Sequence, residues 1–521
     1  MPRRGPPLIF DKLLSLPSDA EPWIVDHQPI AVTAEDEKVR PGDVADAAAR
    51  GATALRSHGI EPGRRCIVWL ESPTDIIVAY AAITALDAVP ILMSPTLSGP
   101  VVASMVENVS GITAVISTDA RLAESEKTFP DIGTFIDWRD IAAELPDHKR
   151  ISRPREVASD AAYVVVHTSG TTGTPKLAEC SSASIQFNAR VQAVIHWLSR
   201  LDGHLALAIS PVHGRTVVGI LAALMRKAPL LLLEDDSPDN VDRMLKRHRP
   251  TYLETHPNTF RAWQHLAPGG AFRSIRFFGA GFDVIHPDTV SALLKGSDHR
   301  FAVCVEVYGQ NETGPVAIRS HLKGTQKPLR ALRRLRRAKL LRGHPAGPRF
   351  PFCRVRIVDD SGRPVPSGTP GRMVVNTPGV FSGYINRPDL TSKNYPDKRW
   401  WDTGDWGTKS RTGRITLIDR QVDKVSGAIS GIGIEDILLE KFPEFLELVV
   451  LEKNGTLQPV LSLRPGATFR RKAWESASRR LATMAEPVII PDSEFPRTVT
   501  GKIKREQLKK SLAEQRLSTS V

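Results

Sequence analysis

The sequence has little cysteine, and this scarcity limits the classes of site it can carry. Its 521 residues include four cysteines, Cys66, Cys180, Cys304 and Cys353, which show no paired spacing. Such scatter argues against a disulfide framework or a zinc site and suits a reducing compartment. We therefore expect buried thiols that pack as small apolar residues.

Long apolar runs are also missing. The richest stretch, from Ile76 to Met93, is interrupted by Asp87 and Pro90, so it is too broken for a membrane span. The basic N-terminus is not followed by a sufficiently long apolar region or a small-residue cleavage site. These absences predict a cytoplasmic protein without a membrane span, and 41% hydrophobic residues over 521 positions predict two or more globular domains.

The strongly basic composition has one local source. The formal net charge is +13, and the segment from Arg319 to Arg342 holds ten basic residues and no acidic one. No aromatic residues are interleaved with these arginines to stack on bases, which disfavours nucleic acid as a partner. Residues 319–342 are therefore interpreted either as a solvated insertion or as a docking patch for an acidic macromolecule such as an acyl carrier protein.

The first half of the chain alternates helical and strand patterns. Helices are expected over Asp43–Gly59, Thr74–Leu86, Val217–Met225 and Val241–Arg247. Short buried strands are expected at Cys66–Leu70, Val89–Met93, Thr113–Ser117, Ala206–Ser210 and Leu230–Leu233. This alternation predicts an α/β body with parallel sheets.

The pattern changes near residue 350 to short strands separated by turns. Strands are expected at Arg354–Val358, Gly371–Val375 and Arg414–Ile418, which predicts a β-rich module at about 350–418. The last hundred residues have their own strands at Leu448–Leu451 and Val460–Leu463 and a helix over Ala473–Ala482. We expect a large N-terminal body over 1–418 and a small α+β domain over 421–521.

A glycine- and threonine-rich loop follows the apolar run 161–166. It comprises Thr168, Ser169, Gly170, Thr171, Thr172, Gly173, Thr174, Pro175 and Lys176. Glycines let backbone N–H groups turn toward an anion, the hydroxyls donate hydrogen bonds and the lysine adds positive charge. The Walker A spacing is missing, so a phosphate cradle and an unliganded surface loop are both open on this stretch alone.

Five further segments follow this loop in one order. They are 307–312 (VYGQNE), 383–386 (GYIN), 401–405 (WDTGD), Asp419–Arg420 and 496–502 (PRTVTGK). Over nearly the whole chain, the series resembles the adenylate-forming superfamily of acyl-CoA synthetases, aryl-acid ligases, peptide-synthetase adenylation domains and luciferases. The resemblance implies an enzyme that activates a carboxylic acid with ATP and Mg²⁺, releases pyrophosphate, and transfers the acyl group to CoA or a carrier protein.

The resemblance also implies a role for each matched residue. The loop 168–176 would hold the β- and γ-phosphates, Glu312 would hold Mg²⁺, and Asp405 would accept hydrogen bonds from the ribose hydroxyls. Arg420 would make a second ribose or phosphate contact. Tyr308 would stack near the adenine, with Gly279, Ala280 and Gly281 lining the base pocket. Gly309 and Asn311 would also belong to the ATP site.

Lys502 is the residue expected to carry the first half-reaction. On a turn of a mobile C-terminal domain hinged at 419–420, it would bridge the carboxylate and the α-phosphate. The alternative is an exposed lysine in a lysine-rich tail. His213 would either gate the substrate carboxylate or serve as a structural histidine, and Arg215 would offer a second charge to an anionic substrate.

Two segments depart from the family pattern. Residues 177–182 (LAECSS) replace the usual glycine and Thr-His pair, and residues 421–431 differ from the loop that forms the thioester tunnel. Two overall reactions are therefore open. One is transfer of the activated carboxylic acid to a thiol, and the other is ATP-dependent activation of another oxyacid, such as nitrite for diazotisation of an aryl amine. A third hypothesis, a degenerate homologue without turnover, is opposed by the presence of Lys502 and Glu312.

Overall fold

In a computed structural model, two largely parallel sheets and the helices packed on them contain most of the chain. The structure describes residues 9–129, 132–143, 160–168, 175–281, 283–324, 343–420, 430–453, 456–479, 481, 483–498 and 503–518. The expected α/β class, with a β-rich module and a small C-terminal α+β part, is confirmed.

A seven-stranded sheet is built mainly from the first 181 residues. In spatial order its strands are Gly383–Tyr384, Leu177–Ser181, Ala162–His167, Val89–Leu92, Arg65–Val68, Ile112–Ser117 and Thr134–Asp137. The helices in this part of the chain are Pro41–Ser57, Pro73–Ala85, Gly99–Val106, Asp119–Thr128 and Trp138–Ala143. Pro73–Ala85 is buried along its whole length and begins where the Ser72 hydroxyl accepts from the Asp75 backbone N–H at 3.2 Å.

An eight-stranded sheet lies at the centre of the second α/β unit. In spatial order its strands are Gly314–Leu322, Val303–Gln310, Phe277–Ala280, Tyr252–Thr255, Leu205–Leu207, Leu230–Leu232, Trp23–Val25 and Lys38–Val39, and only the two edge pairs are antiparallel. Its helices are Ile9–Leu14, Ser182–Leu198, Gly214–Arg226, Pro238–His248, Pro257–Trp263, Gln264–Leu266 (3₁₀) and Pro287–Gly296. Residues at the carboxyl ends of its parallel strands meet at one edge, where open α/β sheets bind ligands.

A five-stranded antiparallel sheet forms the β-rich module. In spatial order its strands are His344–Pro348, Arg414–Arg420, Trp401–Lys409, Gly371–Asn376 and Arg354–Val358, and the helix Pro388–Asn394 lies between two of them in sequence. The strand Arg414–Arg420 pairs with Trp401–Lys409 and brings the backbone of Arg420 opposite Asp405.

The C-terminal part packs around its own apolar core. It combines the strands Phe445–Lys453, Thr456–Leu463 and Val488–Ile489 with a short 3₁₀ turn and the helices Gly431–Lys441, Arg471–Ser478 and Arg505–Ser518. Arg261 of the body donates a hydrogen bond to the carbonyl of Phe445 at 3.0 Å. Residues 421–429 lie outside the described chain, so the hinge at 419–420 and the two-domain division remain predictions.

Most elements expected from the sequence are present with shifted ends. The helix expected over Asp43–Gly59 runs from Pro41 to Ser57, and all four cysteines are buried as expected. Burial raises the pKa of Cys66 and Cys180 to about 12. Within the described ranges, every helix is too short or too polar to cross a bilayer.

Candidate active site

Asp405 is the centre of a hydrogen-bond network between two sheets. Its carboxylate accepts from the Tyr308 hydroxyl at 2.6 Å and from the Gln310 side-chain amide at 3.0 Å. The same amide donates to the backbone carbonyl of Thr403 at 2.8 Å, and the Trp401 indole donates to the side-chain oxygen Oε1 of Gln310 at 3.4 Å. Asp405 is only 8% exposed, so these bonds fix the orientation of the carboxylate.

Glu312 lies in the turn between the strands Val303–Gln310 and Gly314–Leu322. Its carboxylate accepts a hydrogen bond from the Tyr384 hydroxyl, and its carbonyl accepts from the Phe381 N–H at 3.0 Å. The Lys176 ammonium lies 5.4 Å from the centre of the Tyr384 ring. The structure therefore brings Lys176, the last residue of the segment 168–176, together with Tyr384 and Glu312.

A first cavity of about 700 Å³ opens beside these residues. Its lining comprises Cys180, Ile185, Asn188, Gly214, Arg215, Val218, Gly281, Val307, Gly309, Gln310, Asn311, Gly314 and Pro315. Asn311 donates its side-chain amide to the carbonyl of His167 at 3.3 Å, which ties the turn to the end of strand Ala162–His167. The predicted residues Gly281, Gly309, Asn311 and Arg215 therefore share one cavity.

A second cavity of about 480 Å³ adjoins the first. Its lining comprises Asn188, Val191, Gln192, Ile195, His196, Arg215, Tyr252, Glu254, Phe277, Gly279, Ala280, Val305, Val307, Pro315 and Phe350. The Arg215 guanidinium donates to both oxygens of Glu254, at 2.5 and 3.1 Å, and to the side-chain carbonyl of Gln192. The charge expected on Arg215 is thus paired within the protein, and Gly279 and Ala280 line this second cavity rather than the first.

Three histidine rings stack edge to face beside the first cavity. The ring centre of His213 lies 5.6 Å from that of His167 and 6.2 Å from that of His256. His213 is 2% exposed, and burial holds its pKa well below the usual value, with the neighbouring imidazoles adding to the effect. His213 is therefore neutral at pH 7, and the choice between a gating and a structural role stays open.

Buried neutral histidines predict a loss of stability in mild acid. Burial lowers the pKa of His167 to about 4 and that of His196 to about 3, below the value near 6.5 of an unfolded chain. Below pH 6.5 the unfolded state binds protons that the folded state does not. Each group should then destabilise the fold by about 1.4 kcal/mol per pH unit, or roughly 4 kcal/mol for both at pH 5.

Denaturant unfolding at pH 7 and pH 5 measures this difference. His196→Gln should remove about 2 kcal/mol of the loss between pH 7 and pH 5, because glutamine does not titrate. His265→Gln, at an exposed position, is the control and should leave the slope unchanged. Equal free energies of unfolding at the two pH values would contradict the expectation.

Several predicted residues lie outside the described chain. These are Ser169, Gly170, Thr171, Thr172, Gly173 and Lys502, together with residues 325–342 of the basic segment. The side chain of Arg420 is likewise not described. Within the described part of that segment, Arg319 lies 3.5 Å from the Glu306 carboxylate and Lys323 donates to the Ser297 carbonyl, so both charges have partners in the same chain.

Sequence reasoning missed several residues that build the site. Gln310 and Tyr384 lie within the quoted segments, but no role was assigned to them, because their partners are about 70 to 95 positions away. Glu254 could have been recognised from the sequence, because an acidic side chain inside a buried strand, here Tyr252–Thr255, requires a partner.

Comparison with known proteins gives a consistent pattern. A family model described as AMP-binding enzyme matches residues 26–385. A 3-amino-2-hydroxy-4-methoxybenzoate diazotase of Streptomyces cremeus is 29% identical over 90% of this chain and 88% of its own length. A 3-hydroxybenzoate–CoA ligase of Aromatoleum sp. is 23% identical over 94% of both chains.

Solved structures share the fold at lower identity. An o-succinylbenzoate coenzyme A synthetase from Bacillus subtilis, in complex with ATP and magnesium ion, superposes with a TM-score of 0.79. It is 20% identical, and the match covers 97% of this chain and 99% of that one. At this level of identity the likeness establishes the fold.

Proposed function

The chain belongs to the AMP-binding enzyme family, and from this premise we propose that it joins an oxyacid anion to AMP and releases pyrophosphate. The observation that carries the proposal is the network at Asp405. A carboxylate fixed by Tyr308 and Gln310 at the edge of a cavity suits the two hydroxyls of a ribose, which need a strong, oriented acceptor.

The other end of the site suits the triphosphate. Glu312 offers carboxylate oxygen, the ligand type that Mg²⁺ prefers, and Tyr384 orients it by a hydrogen bond. Bound Mg²⁺ would neutralise charge on the phosphates. Lys176 and Thr168, at the two ends of the phosphate loop, are joined by a 2.9 Å backbone hydrogen bond from the Thr168 N–H to the Lys176 carbonyl, which closes the loop.

Nucleophilic attack then requires a second cation at the reacting centre. An oxyacid oxygen attacks the α-phosphorus, and the bond from the α-phosphorus to the bridging oxygen of pyrophosphate breaks. We assign to Lys502 the role of stabilising the negative charge that develops on the non-bridging oxygens of the α-phosphate. The buried cavity walls exclude water from the mixed anhydride.

Transfer of a carboxylic acid to a thiol is the first candidate for the overall reaction. The apolar lining of the first cavity, with Ile185, Val218, Val307 and Pro315, suits the ring of an aryl acid. The 3-hydroxybenzoate–CoA ligase relative supports CoA as the acceptor of such a transfer, and the thiol of a carrier protein is the alternative acceptor.

Activation of nitrite is the second candidate, with an aryl amine as acceptor and no thioester. A specific observation favours it: the diazotase relative is 29% identical over 88% of its length, compared with 23% for the aryl-CoA ligase. Residues 421–431 differ from the loop that forms the thioester tunnel in the family, and this difference also favours a reaction without a thioester.

One experiment separates the two candidates. Pyrophosphate release is measured with ATP and Mg²⁺ across a panel of aryl acids and nitrite, each alone, with CoA, and with aminobenzoates. We expect release that depends on nitrite plus an aminobenzoate for the second candidate, or on an aryl acid plus CoA for the first. Absence of release with every oxyacid would contradict the adenylation proposal itself.

A further inference from the structure

Arg215 separates the two cavities of the candidate site. Four residues line both spaces, namely Asn188, Arg215, Val307 and Pro315, and Arg215 alone among them carries a charge. A ligand that extends from the first cavity into the second must therefore pass the guanidinium group.

The ion pair presents mainly its cation to the cavities: Arg215 lines both of them, whereas Glu254 lines only the second. The Arg215 side chain is 25% exposed, whereas that of Glu254 is 3% exposed. Glu254 and Gln192 accept three of the five guanidinium N–H bonds. Burial alone would lower the pKa of Arg215, but the Glu254 charge raises it above its usual value, so the guanidinium stays charged.

The rest of the lining is mostly apolar. Ile195, Phe277, Val305 and Phe350 surround the second cavity, and the Tyr252 hydroxyl there donates to Glu254. The apolar residues of the roomier first cavity suit the flat body of an aromatic ring, whereas the fixed cation at the boundary of the second cavity selects an acceptor substituent. A cationic substituent would meet like charge at Arg215.

Two buried polar atoms near Arg215 offer further hydrogen-bonding positions to a ligand. Among the described residues, His196 Nδ1 and Asn188 Oδ1 have no hydrogen-bond partner. Asn188 lines both cavities and His196 the second one. Unsatisfied buried polar atoms are costly unless a ligand or water pairs with them. The Asn188 oxygen can only accept and therefore suits a hydroxyl on the ring, whereas His196 Nδ1, which carries the proton when Nε2 accepts from Gln192, suits a carboxylate or hydroxyl oxygen.

We propose that Arg215 is a specificity-determining residue and that the substrate is an aromatic compound with an anionic substituent besides its reacting group. The inference rests on the proposed function for the identity of the reacting group, which is an amine or a carboxylate. The second substituent binds the two remaining guanidinium N–H bonds of Arg215, with the ring against the apolar walls.

Equilibrium binding to the full-length protein tests this without turnover. Calorimetric titrations, with and without AMP, compare 3-aminobenzoate with aniline and isophthalate with benzoate, because each pair differs by one carboxylate. The compound with the extra carboxylate should bind roughly 10- to 100-fold more tightly, as expected for a hydrogen bond to a charged group. Benzamidine, which is flat and cationic, should bind most weakly.

A paired substitution then assigns the discrimination to Arg215. Arg215→Leu with Glu254→Gln removes both charges together, and glutamine keeps an acceptor for the Tyr252 hydroxyl. In this variant the ratio within each probe pair should fall below about threefold. The matched control is Arg243→Leu with Glu37→Gln, an ion pair outside both cavities, which should retain the wild-type ratios.

Three results would overturn the proposal. They are equal binding within both probe pairs to the wild-type protein, no measurable binding of either extra-carboxylate probe, and unchanged discrimination in the folded Arg215/Glu254 variant. The wild-type titrations decide even if that variant does not fold. The titrations involve no catalysis. A failure of pyrophosphate release would therefore contradict only the proposed function, and not the role of Arg215.

Discussion

Lys502→Ala is expected to lower the rate of adenylate formation by roughly 10²- to 10³-fold, the usual cost of one preorganised transition-state contact. Lys502 ends the 496–502 segment and lies outside the described residues, and the resemblance to the adenylate-forming superfamily predicts that it reaches the α-phosphate. If its charge acts mainly on the transition state, kcat should fall while ATP binding changes little.

Pyrophosphate release and ATP binding measured on the same preparation test this role. Lys504→Ala is the control, since that lysine lies two positions further along the chain and should be nearly silent. Near-wild-type release from Lys502→Ala would remove Lys502 from the mechanism. Equal losses in both variants would point to damage of the segment rather than loss of one charge.

Glu312→Gln is expected to raise the Mg²⁺ concentration needed for half-maximal activity by about tenfold or more, because the substitution removes a charged oxygen ligand. Tyr384→Phe is the matched variant. It keeps the Glu312 charge but removes the hydroxyl that orients the carboxylate, so we expect a smaller shift.

Magnesium titrations of pyrophosphate release at fixed ATP compare the two variants. A larger shift for Glu312→Gln than for Tyr384→Phe would support metal binding by the carboxylate. An unchanged Mg²⁺ titration in Glu312→Gln would show that Glu312 has a structural role in the turn.

The sequence was a good guide to elements whose signals are local. Helix Pro73–Ala85 has a serine cap, a proline at its first position and an uninterrupted apolar run, and it begins one residue before the predicted start. The strand Arg354–Val358 matches its predicted bounds because alternation and a tight turn set both ends. The resemblance to the adenylate-forming superfamily could also be seen from the sequence, because its motifs are short and contiguous. The match to the AMP-binding family model confirms this resemblance.

Contacts between distant segments could not be predicted in this way. The Arg215–Glu254 pair joins residues 39 positions apart, and the Gln310–Asp405 bond joins residues 95 positions apart. Each requires the order of strands in a sheet, which neither periodicity nor composition specifies. The expectation that Arg215 offers a second charge to an anionic substrate remains a prediction, and its pairing with Glu254 was not anticipated.

The aromatic cluster of Phe381, Tyr384 and Trp401 connects the two ends of the nucleotide site. Its ring centres lie 4.9 to 5.8 Å apart; Tyr384 contacts Glu312, while Trp401 contacts Gln310 and through it Asp405. In a close-packed interior, one ring cannot move without its neighbours. The proposed metal-binding and ribose-binding ends are thus connected through the same packed rings, and any cooperativity between them must be reciprocal, each end changing binding at the other by the same factor.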